Sequence, residues 1–503
     1  MPPSPPIRRS KLFWVGLLSF ASGFPLGVFY EIFPVWFRQQ GVDLKSIGFL
    51  SLLQLPWSLK FLWAPAVDHY RHHRLWMAAA EIAMGCVMLA FAYALGVASW
   101  VWFAIFAFTL LSATNDIAID GWTIEYLEKH EYGLANGVRI GLARVGMLTS
   151  GVILMLSDFV GWQGAFLGVA AILVLTAIGC LAAPRERRVE RKAGLSLGAE
   201  LGAMARQPRV AAAVALLGLG TLWLVNNAAK WSANRPLFWP LMWTFAIALV
   251  AVAWWHGRNA PRDRKAERGP MFGALLELLE RPKILPVLAF VLLFKLGDAS
   301  MGFMVKPFWV DSGFTATDIG LVSVNIGLAL SVAGGLAGGW YADRAGIFKA
   351  LWVLGLWQAA SNLGYVFAAS MIPPASAGLG PPDLTDRLII YAASATESFT
   401  GGLGTAAFVA FLMAIVDKRR SATEYALLSS LFAGSRALAG WASGFGAEAM
   451  GYANYFLLTF FLSFPAYLLL PWAKRMLEYS ASLPATTTAE AEPIEGAKGA
   501  PAG

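Results

Sequence analysis

Residues 319 to 346 read IGLVSVNIGLALSVAGGLAGGWYADRAG, an uncharged and mostly apolar run that ends on Asp343 and Arg344. About 20 apolar residues in helical geometry are enough to cross the hydrocarbon core of a bilayer, so this run predicts a transmembrane helix. Similar runs fill most of the 503 residues, of which 57% are apolar and 14% are charged. A soluble domain carries roughly one quarter charged residues, so we expect an all-α polytopic membrane protein.

Fourteen such runs are predicted to span the membrane. They are 11–37, 46–64, 75–97, 99–122, 133–157, 161–183, 210–229, 236–255, 284–309, 318–341, 349–371, 386–414, 421–448 and 453–473. An even number of spans places both termini on one side. The turns on that side carry 27 lysines and arginines against five on the other, so the positive-inside rule predicts cytoplasmic termini.

Short internal matches indicate that the first six and the last six spans are similar halves. The matches are Ile47-Gly48 leading to Asp68 with Ile319-Gly320 leading to Asp343, Ser112-Ala113-Thr114 with Ser394-Ala395-Thr396, and Glu131-Tyr132-Gly133-Leu134 leading to Arg144 with Glu424-Tyr425-Ala426-Leu427 leading to Arg436. The predicted domains are an N-terminal half at 1–183, cytoplasmic linkers at 184–283 around a two-helix insert at about 210–255, a C-terminal half at 284–474, and a disordered tail at 475–503.

The positions of the charged residues, cysteines and histidines, together with the motifs present, argue against several classes of function. The net charge of +8 lies in short turns between spans, where membrane orientation explains it better than nucleic-acid binding. Cys86 and Cys180 both fall within spans, so neither a disulfide framework nor a metal site is expected. The five histidines are predicted to lie in solvated loops. No phosphate-binding loop of an ATPase and no catalytic cluster is present, so we expect a gradient-driven protein that is not an enzyme and needs no cofactor.

Ionisable side chains inside the spans are the candidate machinery, because each costs at least ~2.5 kcal/mol in lipid and usually faces a cavity or a partner. The carboxyl groups predicted to couple transport to protons are Glu31, Asp116, Asp120, Asp298 and Glu397. The basic groups predicted to bind an anionic substrate are Lys60, Arg139, Arg144, Lys295 and Arg436.

Asp116 and Asp120 are four residues apart and therefore share one helix face, where mutual repulsion favours keeping a proton on one of them. The alternative is that they form ion pairs with Arg139 or Arg144 and only join two spans.

Lys295 and Asp298 are three residues apart, and mutual neutralisation is the favoured interpretation. Glu397 has no charged neighbour in its own span, which makes it the best single candidate for proton coupling; the alternative is that it forms a hydrogen bond to a neighbouring helix. Arg144 and Arg436 occupy matching repeat positions, so they are predicted either to hold carboxylates in one central cavity or to lock a gate.

The end of the quoted run has the pattern Gly-x-x-x-Asp-Arg-x-Gly, which resembles the loop signature of the major facilitator superfamily. In such a loop the glycine permits close helix approach, and the charges clasp neighbouring helices in one conformational state. A weaker copy lies after the second span. The residues predicted to act in gating are Asp68, Arg71, Gly339, Asp343, Arg344 and Gly346.

Four longer segments resemble the AmpG-type muropeptide permeases, which are relatives of the acetyl-CoA transporters. The segments are residues 43–68, 112–122 (SATNDIAIDGW), 294–298 (FKLGD) and 402–431. The resemblance covers both halves and implies a major facilitator fold with two extra central helices. It also implies proton-driven import of anhydromuropeptides, which are anionic cell-wall fragments, across the bacterial inner membrane.

The sequence thus predicts a proton-coupled importer that works by alternating access, as a monomer in contact with membrane lipids. The alternatives are a transporter of another anionic conjugate such as a coenzyme A ester, and a non-transporting membrane receptor of the same fold.

Overall fold

The computed structural model describes residues 9–60, 63, 67, 72–94, 96, 100–127, 132–185, 281, 283–378, 380–416 and 421–482. Those residues form helices joined by turns, without a strand among them. The predicted insert at 210–229 and 236–255, most of its two linkers and the chain beyond residue 482 lie outside the described residues.

The N-terminal half contains helices α1 to α6. Helix α1 comprises Arg9–Gly27, a π-helical segment Val28–Ile32 and Phe33–Gln39; α2 comprises Leu44–Leu50, a 3-10 segment Ser51–Gln54 and Leu55–Leu59; α3 is His73–Tyr93; α4 is Trp100–Tyr126; α5 and α6 are the parts of Tyr132–Ala182 before and after Gly161.

The C-terminal half repeats this order as α7 to α12. Helix α7 comprises Ile284–Leu293 and Leu296–Asp311; α8 comprises Ala316–Asp318, a π-helical segment Ile319–Ile326 and Gly327–Ala345; α9 is Ile347–Met371; α10 is Leu384–Ile415 and follows a 3-10 turn Ala375–Ala377; α11 is the part of Ser421–Leu462 before Gly451; α12 is the part after it together with Pro465–Ser482.

The twelve helices that can be followed in the described ranges match the twelve predicted spans outside the insert. Eight helical stretches among the described residues are long and apolar enough to cross a membrane by length and composition. One boundary is wrong, because Pro465–Ser482 continues through residues that the sequence assigned to a disordered tail. Met476 is 3% exposed in the core of the C-terminal half, which keeps this last part of α12 folded.

The two halves turn in the same way between their fifth and sixth helices. Gly161 has φ of 70° and Gly451 has φ of 74°, a left-handed backbone conformation that residues with a Cβ rarely adopt. Each glycine lies between two helices that would otherwise merge. These two equivalent turns support the internal repeat in three dimensions.

Close packing of α8 against α10 depends on glycines on both helices. A Cβ at Gly338 would lie 2.7 Å from the Leu403 carbonyl oxygen, and a Cβ at Gly402 would overlap the Ser331 carbonyl oxygen. Gly339, which was predicted to permit this approach, instead faces open space. In this conformation the neighbouring Gly338 makes the close contact, because a one-residue step turns a helix position by about 100°, and the gating role of Gly339 stays a prediction.

This difference between neighbouring glycines predicts a difference in stability. Gly402→Val is expected to lower the melting temperature of the purified protein, because its side chain meets backbone atoms that cannot move aside, an overpacking cost of ~1–3 kcal/mol. Gly339→Val is the matched control and is expected to leave the melting temperature nearly unchanged. A thermal unfolding scan in detergent compares them; equal effects would contradict the packing described here.

The two halves meet at one end of the bundle, which we call the distal end because it is opposite the end where α1 begins. The largest cluster of buried apolar side chains lies there and contains residues of both halves, including Phe33 and Trp36 of α1 and Phe308 and Trp309 of α7. The other two clusters each lie within one half, at the end where α1 begins. The halves are therefore packed together distally and have separate cores at the opposite, terminal end.

Candidate transport site

An ion-pair network closes the distal end between α1 and α7. Arg38 donates to Asp311 through two parallel hydrogen bonds, Nε to Oδ1 at 2.5 Å and Nη2 to Oδ2 at 2.7 Å. Tyr452 of α12 donates its hydroxyl to the same Oδ2 at 2.6 Å, and Lys45 reaches Glu448 at 2.7 Å between α2 and α11. Forked arginine–carboxylate pairs are among the stronger and more directional ion pairs, so this network stabilises the closed distal end.

Breaking this network is expected to open the distal end. In Asp311→Asn the Arg38 guanidinium loses its charged partner, so the population should shift towards a state in which the halves separate distally. Spin labels at Gln40 and Ala377 lie on exposed distal turns of the two halves, and pulsed electron paramagnetic resonance measures the distance between them.

The same labels test the charge-reversed pair, Arg38→Asp with Asp311→Arg, which should restore much of the short distance. An unchanged distance distribution in Asp311→Asn would show that the ion pair does not hold the gate.

Glycines bring the two halves into backbone contact at symmetric positions beside this network. A Cβ at Gly48 of α2 would lie 2.8 Å from the Gly444 nitrogen of α11, and a Cβ at Gly320 of α8 would lie 2.6 Å from the Gly151 carbonyl oxygen of α5. Gly48 and Gly320 belong to the first sequence match between the halves. The repeat therefore supplies both of these crossings.

Halfway along α1 and α7, one more ion pair joins the halves. Lys306 Nζ lies 2.7 Å from Glu31 Oε2, and both side chains are more than four-fifths buried. Glu31 belongs to the π-helical segment Val28–Ile32, a distortion that is frequent at functional sites. The predicted proton-coupling residue Glu31 is thus engaged across the interface between the halves.

Four of the predicted site residues form one cluster within the N-terminal half. Lys60 Nζ lies 3.1 Å from Asp116 Oδ2 and 3.6 Å from Asp120 Oδ2, and Arg139 pairs with Asp120. Ser22 of α1 also donates its hydroxyl to Asp116. The two carboxylates and the two cations balance in charge, which is the arrangement expected of the ion-pair alternative; their roles in transport stay predictions.

A second charged cluster lies in the C-terminal half. Lys295 is 3% exposed, and its Nζ lies 3.2 Å from Asp298 Oδ2, as the i,i+3 spacing predicted. A Cβ at Gly401 would lie 3.7 Å from Glu397 Oε1 and 3.9 Å from Asp298 Oδ1, so the two carboxyl groups flank the same glycine. Lys295 and Lys306 act electrostatically on Glu397 without forming an ion pair with it. No sequence pattern indicates that Glu397 and Asp298 are neighbours.

Arg436 of α11 lies between the two halves. Its guanidinium carbon is 5.7 Å from the centre of the Tyr30 ring of α1 and 5.9 Å from that of Phe432. Tyr30 in turn donates its hydroxyl to Gln54 Oε1 at 2.5 Å. Within the described part of the chain Arg436 has no carboxylate within ion-pair distance, and the same holds for Arg144, its counterpart in the repeat.

The predicted gating residues of α8 lie at the terminal end, where the halves have separate cores. Gly346 ends α8 with φ of 86°, and Asp343 and Arg344 are exposed. The Arg344 guanidinium stacks over Trp340 of its own helix, with its carbon 4.4 Å from the ring centre. Among the described residues Asp343 and Arg344 form no ion pair, so the clasp predicted for these charges stays a prediction. Asp68 and Arg71 lie outside the described residues.

Two buried polar groups lie outside the sets of residues predicted to couple protons, bind substrate or act in gating. Glu81 is fully buried and is held by Asn115 Nδ2 at 2.7 Å and by Thr176 Oγ1 at 2.9 Å, which joins α3, α4 and α6. His73, predicted to be in a solvated loop, is the first residue of α3, is 1% exposed and lies 3.7 Å from Glu125. The loop prediction failed for His73 because the span begins two residues earlier than its apolar run.

Comparison with known proteins agrees with this architecture. The sequence model of the Major Facilitator Superfamily matches residues 15–385, which is most of the chain. The chain belongs to the Major Facilitator Superfamily. The superfamily members described below are transporters. The chain is likewise a multi-pass secondary transporter of a small molecule rather than an enzyme.

Individual superfamily members show how far the likeness extends. The anhydromuropeptide permease of Escherichia coli (strain K12) is 28% identical over 476 residues, which cover 92% of this chain and 80% of that protein. A solved POT family peptide transporter in an auto-inhibited form superposes with a TM-score of 0.62 at 14% identity, over 93% of this chain and 97% of that one. A bacterial homologue of the lysosomal transporter Spinster, in an inward-facing and unoccupied conformation, superposes with a TM-score of 0.60 at 13% identity. The superposition covers 95% of this chain and 99% of that one. The two structures show a shared fold.

Proposed function

We propose that this protein imports anhydromuropeptides across the bacterial inner membrane and that an inward flow of protons drives the import. The likeness to the Escherichia coli anhydromuropeptide permease supports the substrate class. The proposal places both termini in the cytoplasm, as the distribution of lysine and arginine predicts. The conformation with a closed distal end is then the inward-facing one.

The observation that carries the substrate class is the guanidinium of Arg436, which has no carboxylate partner in the described part of the chain. An arginine inside a membrane protein is costly unless an anion or a polar partner compensates it, and among the described residues the guanidinium has two aromatic rings beside it and no carboxylate within ion-pair distance. A carboxylate of the substrate would complete the site through forked hydrogen bonds. Anhydromuropeptides carry carboxylates on their peptide portion, so Arg436 is the proposed anchor for that end.

The proposed proton site is the pair of carboxyl groups beside Gly401. Glu397 and Asp298 lie close enough to repel each other when both are charged, whereas Lys295 neutralises Asp298 directly. Glu397 is left without a paired cation in the described part of the chain, so adding or removing a proton there changes the net charge of the site. Such a change would alter the attraction of the site for Lys306, which holds the halves together through Glu31.

Exchange across proteoliposomes tests the substrate class without requiring a proton gradient. Vesicles loaded with unlabelled anhydromuropeptide should take up the labelled compound, and excess unlabelled anhydromuropeptide outside should block this uptake. A coenzyme A ester should not compete. Competition by the coenzyme A ester but not by the anhydromuropeptide would overturn the proposed substrate, and binding of the anhydromuropeptide without exchange would indicate a receptor.

A further inference from the structure

A small polar cavity lies inside the C-terminal half, between α7, α9 and α12. It has a volume of about 10 Å³, and the polar side chains in its wall are Asp298, Gln358, Asn362, Ser463 and Tyr467. Two helices are interrupted beside it, α7 between Leu293 and Leu296 and α12 between Leu462 and Pro465. Interrupted helices inside membrane proteins are tolerated where they are buried in protein or line a polar site.

Two buried amides present unpartnered atoms at this cavity. Asn362 is 1% exposed and Gln358 is 6% exposed; Asn362 Oδ1 has no hydrogen-bond partner among the described residues, and Gln358 Nε2 has none with hydrogen-bond geometry, although the Gln358 amide lies beside the Asp298 carboxylate. Leaving a buried polar atom unpaired costs ~1–3 kcal/mol, so a ligand at this point would stabilise the protein. The two atoms are one acceptor and one donor.

The orientation of the Asn362 amide follows from its neighbours. Asn362 Nδ2 lies 3.2 Å from Thr459 Oγ1, whose own proton is donated to the Phe456 carbonyl oxygen at 2.8 Å. The Thr459 hydroxyl can therefore only accept from the asparagine, which leaves Asn362 Oδ1 as the free acceptor. Ser463 donates to the Thr459 carbonyl oxygen at 3.2 Å and keeps its lone pairs free.

We propose that this cavity binds one water molecule, which donates to Asn362 Oδ1 and to the Asp298 carboxylate and accepts a hydrogen bond from Gln358 Nε2. A volume of this size corresponds to about one water, and buried waters typically make about three hydrogen bonds to groups that are otherwise unsatisfied. A sodium ion fits the site less well, because the Lys295 ammonium already pairs with Asp298 and because Gln358 presents a donor.

The water gives Asn362 and Gln358 a positioning role, which rests on the proposed function of Asp298 in proton coupling. Asp298 then contacts the water on the side of this cavity and lies beside Gly401 and Glu397 on the other. A carboxyl group that bonds a buried water has a partner that can take or give a proton when Glu397 changes its charge. Asn362 and Gln358 fix that water, and through it the hydrogen bonding of Asp298.

Radiolytic footprinting of the full-length protein in proteoliposomes tests the water without measuring transport. Hydroxyl radicals generated from a bound water oxidise the ring next to it, so Phe294, which lines the cavity and is 7% exposed, should be labelled in the wild type. Phe290, fully buried one turn earlier in α7 and outside the cavity wall, is the control and should not be labelled. Equal labelling of the two rings in the wild type would overturn the proposal.

Asn362→Leu should abolish the labelling of Phe294 and the accumulation driven by a proton gradient, while substrate exchange continues. Ser361→Ala, which removes a neighbouring buried hydroxyl bonded to its own helix, should change neither. Retained gradient-driven accumulation in Asn362→Leu would contradict the positioning role, whereas wild-type protein that labels Phe294 but exchanges no muropeptide would contradict only the proposed function. Sodium-dependent labelling or uptake would overturn the water in favour of a cation.

Discussion

Replacing Arg436 with glutamine is expected to weaken binding of anhydromuropeptide by about 10- to 100-fold, because a partly buried arginine–carboxylate pair contributes ~1.4–3 kcal/mol. Glutamine retains hydrogen-bonding capacity but removes the positive charge that lies between Tyr30 and Phe432. Equilibrium binding of a labelled anhydromuropeptide to the purified protein measures the change.

A substrate analogue separates loss of this pair from general damage to the site. An anhydromuropeptide whose carboxylates are converted to amides should bind weakly to the wild type. Its affinity for Arg436→Gln should be about the same as its affinity for the wild type. Arg475→Gln, which changes an exposed arginine near the end of α12, is the matched control and should bind as wild type does. If Arg436→Gln weakened binding of the natural substrate and of the amide analogue by the same factor, Arg436 would not contact a carboxylate.

Glu397→Gln is expected to abolish accumulation of substrate under a proton gradient while leaving exchange of substrate in place. The amide keeps the size of the side chain but cannot take up or release a proton, so movement of the halves is no longer linked to proton flow. Asp298→Asn should also lose accumulation, and because it leaves the buried Lys295 without its anion it should in addition lower thermal stability.

The two carboxyl variants are compared by measuring accumulation and exchange in the same proteoliposome preparation. Glu478→Gln, at an exposed site on α12, is the control and should retain both activities. Accumulation that persists in Glu397→Gln would place the proton site elsewhere, and the cluster of Lys60, Asp116 and Asp120 would be the next to test.

The architecture could be predicted because a bilayer imposes one simple rule on every span. Apolar runs of about 20 residues locate the helices, and the order of short matches identifies the repeat. Apolar runs do not locate the end of a helix whose last turns are polar. Residues 475–482 were assigned to the tail and His73 to a loop because neither lies in an apolar run, although packing keeps both in helices.

The candidate site residues could be selected from the sequence one by one, whereas most of the pairs that they form in the structure could not. Ionisable residues in apolar runs stand out one by one, so Glu31, Arg436 and Glu397 were identified from their cost in lipid alone. Their partners come from distant parts of the chain: Glu31 meets Lys306, and Glu397 lies beside Asp298. Only the spacing of Lys295 and Asp298 within one helix allowed a pair to be predicted locally.

The ion-pair network at the distal end was not predicted for a related reason. Arg38 lies in a predicted turn, where it contributes only to the charge count that orients the chain, and no pattern in the sequence singles out Asp311. The two residues lie at the ends of α1 and α7, and they meet because the halves pack together at the distal end. A sequence with matching halves does not say which end is closed, because both conformations use the same helices.

We propose that a proton gradient drives this protein to accumulate anhydromuropeptide. The most direct test measures uptake of the labelled compound into proteoliposomes with and without an imposed inward proton gradient. The proposed function predicts uptake above the equilibrium level only with the gradient, and collapse of the accumulated pool when a protonophore is added. Uptake that never exceeds equilibrium, or that is the same with and without the gradient, would contradict it.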